Sequence, residues 1–152
     1  MADVATADGS TLVNPGTKLA YATADTAPFV PGRRDFLKYR DLGVTAASGG
    51  RMRAQVTVAT GDMQDTGWHY HVCDSQFVYC LKGWVDLVFE DGREIRVKQG
   101  ESLFIPGGLK HNEVGMSPDF EILEVSVPAD MGTKSCDPPP GMATARSPAR
   151  SA

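Results

Sequence analysis

The most regular pattern in the chain begins at Arg51, where apolar and polar side chains alternate. The more apolar phase consists of Met52, Ala54, Val56 and Val58. The other phase consists of Arg53, Gln55, Thr57 and Ala59. Because successive side chains of a strand point to opposite faces, a period of two predicts a β-strand with two unlike faces.

Further strand-like segments follow at short intervals. Residues 84–89 and 94–98 flank Asp91-Gly92, a pair typical of turns between antiparallel strands, so they predict a hairpin. Shorter strands are expected near residues 36–39, at 103–106 and at 120–127. Several short strands joined by glycine-rich turns, with no convincing helix, predict an all-β domain built as a small antiparallel barrel or jelly roll.

Both ends of the chain lack this pattern. Residues 1–27 are rich in Ala, Thr and Asp, and we expect them to form a poorly ordered or extended arm. Residues 131–152 are rich in proline and small polar residues, which bury too little surface to order, so we expect a flexible tail. The barrel is therefore expected at residues 28–130.

Composition narrows the class of protein. A chain of 152 residues is one domain by the usual size range, and its formal charge of −4 includes no basic stripe. We therefore expect no nucleic-acid partner, and no apolar run approaches the roughly 20 residues of a membrane helix. The N-terminus lacks the features of a secretory signal, and three cysteines without framework spacing suit a reducing cytoplasm.

The three histidines of the chain fall in two short segments. His69 and His71 are two residues apart and share one face of a predicted strand. Gln76 reaches the same site if residues 72–75 form a turn and a new strand starts at Gln76. His111 opens the element after a glycine-rich turn. Imidazoles collected in this way predict a metal site, since a metal needs each nitrogen within about 2.1 Å.

The two segments resemble the two sequence motifs of the cupin superfamily. The first motif is a histidine, any residue, a histidine, three or four residues, a glutamate, six residues and a glycine. Its positions here are His69, His71, Gln76 and Gly83, with glutamine where glutamate is commoner. The second motif runs from a glycine to Pro-x-Gly-x-x-His. Its positions here are Gly100, Pro106, Gly108 and His111. The resemblance covers roughly residues 51–127.

The resemblance implies a cupin jelly-roll barrel that holds one divalent metal ion. The implied ligands are His69, His71 and His111. Gln76 is expected either to bind through its amide oxygen or only to form hydrogen bonds beside the ion. Iron(II) is favoured, and zinc, nickel, manganese or copper remain open because imidazole suits several of these ions.

Three imidazoles and an amide carry no charge, so the ion is expected to be a strong Lewis acid that attracts a small, anionic, chelating substrate. Cupins with three-histidine iron sites, which cleave diketones or oxidise small thiols, resemble this arrangement and imply a non-haem iron(II) dioxygenase. Cupins that convert unsaturated uronates without redox change also resemble it and imply an isomerase, tautomerase or lyase. A cupin that binds a small ligand or senses a metal without chemistry is the third alternative.

Other residues are candidates for the surroundings of the metal. Arg53, Gln55 and Thr57 share a strand face and are candidate substrate contacts. Val78 and Cys80, on the predicted face of Gln76, are further candidates for the pocket. Glu113 and Glu124 are candidate proton shuttles or histidine-orienting groups, because one is in phase with His111 and the other lies mid-strand. Phe77, Tyr79 and Leu81 form an apolar outer stripe, which predicts a homodimer.

Overall fold

A computed structural model of the chain describes residues 13–142. The predicted arm and tail extend beyond this range, so those parts at 1–12 and 143–152 lie outside the described residues. Nearly all regular structure is β, as predicted. The strands are β1 Val30–Pro31, β2 Leu37–Asp41, β3 Arg53–Ala59, β4 His69–Val72, β5 Ser75–Lys82, β6 Trp84–Phe89, β7 Glu94–Lys98, β8 Ser102–Pro106, β9 His111–Met116, β10 Glu121–Val127 and β11 Gly132–Ser135.

Two antiparallel sheets make up the fold. Sheet A has six strands in the order β1-β2-β3-β10-β5-β8, and sheet B has five in the order β11-β4-β9-β6-β7. Chain neighbours β4 and β5 lie in different sheets, as do β5 and β6, so the chain crosses repeatedly between the two layers. This arrangement fits the predicted jelly roll.

Alternation along β5 follows the sequence prediction. Gln76, Val78 and Cys80 are buried, whereas Phe77 and Tyr79 are exposed. The preceding strand ends at Val72 and β5 begins at Ser75, so the two-residue turn restores the phase of Gln76. The turn predicted from simple counting is confirmed.

The hydrophobic core lies between the two sheets. Side chains of both layers meet in one buried cluster, including Val78 and Ile122 of sheet A and Leu87, Phe89 and Val97 of sheet B. Burial of each such side chain contributes about 1.5–3 kcal/mol. The same strands carry the polar side chains of the interior, so packing in the core holds those side chains in position.

The interior face of sheet A changes from polar to largely apolar along its strands. One cross-strand row contains Arg53, Ser126 and Gln76. The next contains Gln55, Glu124 and Val78, and the third contains Thr57, Ile122 and Cys80. The interior is therefore polar at the row of Gln76 and becomes apolar two rows further along. This gradient leaves one region of the interior for a polar site.

The predicted flexible tail is wrong for residues 132–135. They form β11, which pairs with β4 and places Thr133 beside His71. Backbone pairing with an edge strand needs no apolar side chains, so the composition of this segment did not reveal it. The remaining boundaries of the arm and tail stay a prediction.

One short helix was not expected from the sequence. Helix α1 spans Val44–Ala47, and the preceding Gly43 has φ +76°. Its four residues give no apolar periodicity to recognise. Within residues 13–142, no helix is long and apolar enough to cross a membrane.

Candidate metal centre

The three imidazoles meet in the interior. His69 and His71 lie on β4, and His111 begins β9, where it pairs directly with His69. Their ring centroids are 4.5–5.2 Å apart. One potential ligand atom from each ring lies within 4.8 Å of the others. The pairing of two adjacent strands therefore produces the convergence that the histidine spacing predicted.

Hydrogen bonds behind the rings select one nitrogen of each histidine. Nδ1 of His69 donates to the Gly67 carbonyl and Nδ1 of His111 to the Leu109 carbonyl, both over 2.8 Å. Nδ1 of His71 contacts the Thr133 hydroxyl at 3.0 Å, which can accept its proton. With Nδ1 protonated, each Nε2 keeps a lone pair for a metal.

Burial keeps two of the imidazoles neutral. Burial, together with the charges of His111 and His69, lowers the pKa of His71 to about 4. Burial also lowers the pKa of His111. Neutral imidazole is the form that binds metal, so these two rings need lose no proton at neutral pH.

Gln76 presents an acceptor that has no partner. Its side chain is only 4% exposed, and Nε2 donates to Oε1 of Glu124 over 3.4 Å. The other amide atom, Oε1, is buried without a hydrogen-bond partner among the described residues, and so is Nε2 of His111. Buried acceptors rarely lack a donor. A divalent ion fits this set, because it would take both lone pairs.

Glu124 connects Gln76 to two predicted pocket residues. Its Oε2 accepts hydrogen bonds from Nε2 of Gln55, over 2.9 Å, and from the Thr57 hydroxyl. Its Oε1 accepts from Gln76. One carboxylate therefore orients an amide and a hydroxyl from β3 and the amide of Gln76 from β5.

Glu113 lies beside the imidazoles. Its Oε2 is 3.5 Å from Nε2 of His69, and Oε1 is 3.9 Å from Nε2 of His111. The Thr66 hydroxyl donates to Oε2. Burial raises the pKa of Glu113, but positive charge on His69 and His111, together with the Thr66 hydrogen bond, lowers it more, so the net shift is downward when those rings are protonated. Glu113 was a candidate proton shuttle or histidine-orienting group, and its carboxyl group lies beside two of the predicted metal ligands.

A cavity of about 290 Å³ opens beside the histidines. His69, His71 and Glu113 contribute to its wall from sheet B. This volume lies just below about 300 Å³, the lower limit of typical ligand pockets. The site therefore has room for a small molecule next to the imidazoles.

The predicted substrate contacts divide into three groups. Arg53 and Gln55 line the 290 Å³ cavity. Thr57 and Val78 line a smaller cavity of about 70 Å³, whose wall also includes Glu113. Cys80 lines neither of these cavities, because its side chain is fully buried in the core and its thiol donates to the Lys82 carbonyl. A substrate contact by Cys80 is therefore not supported.

Several residues of the site were not identified from the sequence. Arg33, Arg34 and Tyr39 come from the β1–β2 hairpin, which has little alternation, although the paired arginines beside Gly32 were a visible signal. Thr133 lies in the segment that was assigned to the tail. Thr66 lies in an irregular loop, and nothing in the sequence connected it with Glu113.

Comparisons with known proteins agree with this architecture. Residues 54–124 match the family model described as "Cupin domain". The polyketide cyclase RemF from Streptomyces resistomycificus is 21% identical and has a TM-score of 0.63, over 78% of this chain and 85% of that chain. KdgF from a Halomonas species is 16% identical, with a TM-score of 0.60, over 74% of this chain and 94% of that chain.

A larger enzyme also shares the fold. Salicylate 1,2-dioxygenase from Pseudaminobacter salicylatoxidans is 15% identical with a TM-score of 0.54, over 69% of this chain but only 32% of that chain. No curated protein sequence matches the chain. At these identities the structural likeness shows the fold alone.

Proposed function

Because this chain is a member of the cupin superfamily, we propose that it is a mononuclear metal-dependent enzyme acting on a small, chelating organic substrate. The observation that carries this proposal is the convergence of three imidazoles, two of which, His69 and His71, line a 290 Å³ cavity. The imidazoles lie among the side chains of the interior, so a substrate would reach the ion through the cavity.

The leading activity is that of a non-haem iron(II) dioxygenase. A divalent ion held by His69, His71 and His111, with Gln76 as an oxygen donor, would supply Lewis acidity and, as iron(II), the activation of dioxygen. On a six-coordinate ion the three histidines alone would leave three positions, enough for a bidentate substrate and dioxygen, so in this activity a chelating substrate would take the place of Gln76. Glu113 would accept the proton that an acidic substrate loses on binding.

An isomerase or tautomerase without redox change is the second candidate, and the position of Glu113 favours it. A carboxylate 3.5 Å from Nε2 of His69, on the wall of the same cavity, is placed to move a proton within a bound substrate. In this alternative the ion polarises substrate oxygens and dioxygen takes no part.

The two activities differ in oxygen consumption. Protein purified without oxygen would be analysed for metals and assayed in an oxygen electrode with diketones, catechol-like acids and small thiols. Iron with substrate-dependent oxygen uptake is the expected result. Turnover of unsaturated uronates by zinc- or nickel-loaded protein without oxygen uptake would instead support the isomerase. Retained metal with neither activity would point to a ligand-binding or metal-sensing cupin.

A matched variant distinguishes the two roles proposed for Glu113. In the dioxygenase it accepts a proton when the substrate binds, and in the isomerase it moves a proton within the substrate. Glu113→Gln keeps the size of the side chain and removes its basicity. In an isomerase this change is expected to lower kcat by roughly 10²–10⁴-fold, the usual contribution of a general base. Asp119→Asn, on the loop between β9 and β10, serves as the control for loss of one carboxylate.

A homodimer is also proposed, from the outer face of sheet A. Phe77, Tyr79 and Leu81 of β5 are each about 40% exposed, and Phe104 of β8, which pairs with Phe77, is 61% exposed. Contiguous exposed apolar side chains of this kind commonly mark a contact surface. A cytoplasmic location stays a prediction, based on the three free cysteines.

A further inference from the structure

We infer that the 290 Å³ cavity binds a small dianionic acid, one end of which lies at the histidines and the other between Arg33 and Arg53. The inference rests on the proposed function, since the first acidic group is the one that chelates the ion. It adds the chemical class of the substrate: a short acid with a second carboxylate or phosphate group remote from the chelating end.

The first observation is the charge of the cavity wall. Arg33, Arg34 and Arg53 line the cavity together with the carboxylates Glu113 and Glu124, so the wall carries one net positive charge with neutral imidazoles. A divalent ion would raise this excess to three. A cavity with such an excess attracts anions, and a substrate with two negative charges would compensate most of it.

The second observation is that these arginines lack acidic partners. Across residues 13–142, the arginines in ion pairs are Arg93, with Asp91, and Arg96, with Asp86. Both pairs belong to the β6–β7 hairpin of sheet B. The two carboxylates of the cavity are instead engaged by Thr66, or by Gln55, Thr57 and Gln76. The guanidinium groups of Arg33 and Arg53 are thus left to bind an external anion, and their planar donors match carboxylate or phosphate.

The third observation is a row of buried polar atoms without partners. Arg53, Ser126 and Gln76 lie side by side on β3, β10 and β5. Nε of Arg53, Oγ of Ser126 and Oε1 of Gln76 are each buried and have no hydrogen-bond partner in the described part of the chain. Such atoms are uncommon in folded proteins. Oε1 of Gln76 is the acceptor assigned to the ion, whereas Nε of Arg53 is a donor on a residue that lines the cavity, where an anion can accept from it.

The strand spacing sets the scale of that ligand. Adjacent strands lie about 4.8 Å apart, so the backbones of Arg53 and Gln76 are separated by roughly 10 Å across β10. Both side chains extend into the interior and shorten this gap. An acid of a few carbons is therefore long enough to reach from an ion at Gln76 to the guanidinium of Arg53.

A hydrogen bond holds the hairpin arginines against the barrel. Nη2 of Arg34 donates to the Thr66 carbonyl over 2.6 Å, and Thr66 in turn binds Glu113. This contact anchors the β1–β2 turn next to the histidines. Arg33, the neighbouring residue, lines the cavity, makes no such carbonyl contact with the residues that the structure describes, and is available to the anion.

The test is calorimetric titration of the full chain, both metal-free and loaded with zinc, with malonate, succinate and glutarate. Butyrate, of the same length as succinate, tests the value of the second charge, and phosphonoacetate tests phosphate chemistry. We expect the best dianion to bind at least about tenfold more tightly than butyrate. Tighter binding of phosphonoacetate than of the dicarboxylates would support the same subsite with a phosphate-bearing substrate.

Variants locate the second anionic group. Arg53→Gln and Arg33→Gln are each expected to abolish most of the preference for dianions, and Arg53→Lys to restore part of it. Arg93→Gln removes an exposed, ion-paired arginine and is expected to leave the preference unchanged. Thermal unfolding and zinc content would be measured for every variant to show that the fold and the ion are retained.

The result that overturns the inference is equal binding of succinate and butyrate, or a preference that survives both arginine substitutions. If zinc is bound and only this preference is missing, the inference fails and the proposed function stands. If the protein binds no metal, the proposed function fails, and an arginine-dependent preference in the metal-free protein would still locate the anion subsite.

Discussion

At the scale of single residues, the metal centre depends on the groups behind its ligands. Two backbone carbonyls and one hydroxyl hold the three imidazoles with Nε2 free. Glu124 orients the amide of Gln76, whose oxygen has no hydrogen-bond partner within residues 13–142. Gln76 occupies the position where glutamate is commoner, and the carboxylate of Glu124 lies behind it, separated from the ion by the Gln76 side chain.

This pairing predicts the outcome of Gln76→Glu. The substitution would place two carboxylates at the 3.4 Å contact now made by Nε2 of Gln76 and Oε1 of Glu124. Because like charges repel and one donor is lost, we expect the free energy of unfolding of the metal-free protein to fall by about 1–3 kcal/mol. Urea denaturation would measure this change.

The double variant Gln76→Glu/Glu124→Gln exchanges the amide and the carboxylate. It is expected to recover most of the lost stability, because an amide again faces a carboxylate across the same contact. Additive losses from the two single substitutions would show that Gln76 and Glu124 do not act as a pair.

At the scale of elements, β11 links the C-terminal segment to the site. This strand pairs with β4 and brings the Thr133 hydroxyl to Nδ1 of His71. A group that accepts the Nδ1 proton fixes the tautomer and the orientation of a metal-binding histidine. The edge strand is thus part of the metal centre, although it supplies no ligand.

We predict that Thr133→Val weakens metal binding by roughly 10–100-fold, the usual effect of losing a partner behind a ligand histidine. Valine keeps the shape and the strand preference of threonine but has no acceptor. Thr133→Ser retains the hydroxyl and should bind metal almost as well as the wild type. Competition with a chromophoric chelator would measure the affinities, and equal affinity of the valine variant would refute this role.

The elements that could be predicted are those with a strong local pattern. Alternation identified the strands around Val56, and the Asp91-Gly92 pair identified the hairpin of β6 and β7. β11 could not be predicted because its order comes from pairing with β4, not from its own side chains. The contribution of Arg33 depends on how the β1–β2 hairpin packs on the barrel, which no periodicity encodes.

The residues of the site likewise divide into those that a local sequence pattern predicts and those that it does not. The spacing of His69, His71 and His111 predicted their convergence, because strand geometry determines which side chains share a face. The contact of Glu113 with Thr66 depends on the irregular loop before β4. Long-range contacts of this kind arise from the folded arrangement and leave no local pattern in the sequence.

At the scale of the whole molecule, the exposed face of sheet A predicts self-association. Phe77 and Phe104 are cross-strand neighbours, and Val125 and Leu123 continue the apolar surface onto β10 opposite Phe77 and Tyr79. Burial of this face against a second copy would remove apolar surface from water.

We therefore expect a dimer in sedimentation velocity, and a monomer after Phe104→Glu combined with Tyr79→Lys. Both substitutions place charges on exposed positions, so the fold is expected to persist. Leu19→Glu, at a residue that is 93% exposed outside the sheets, is the control and should leave the dimer intact. A wild-type protein that sediments as a monomer at high concentration would contradict the proposed dimer.

The proposed function requires that three imidazoles on two adjacent strands jointly hold one metal ion. The most direct measurement is the metal content, by elemental analysis, of the wild type and of His69→Ala, His71→Ala and His111→Ala after equilibration with iron(II) or zinc and removal of excess ion. We expect one ion per wild-type chain and a large loss in each variant, with unfolding curves showing that the variants remain folded. A wild type without bound metal, or a folded variant that keeps the full metal content, would contradict it.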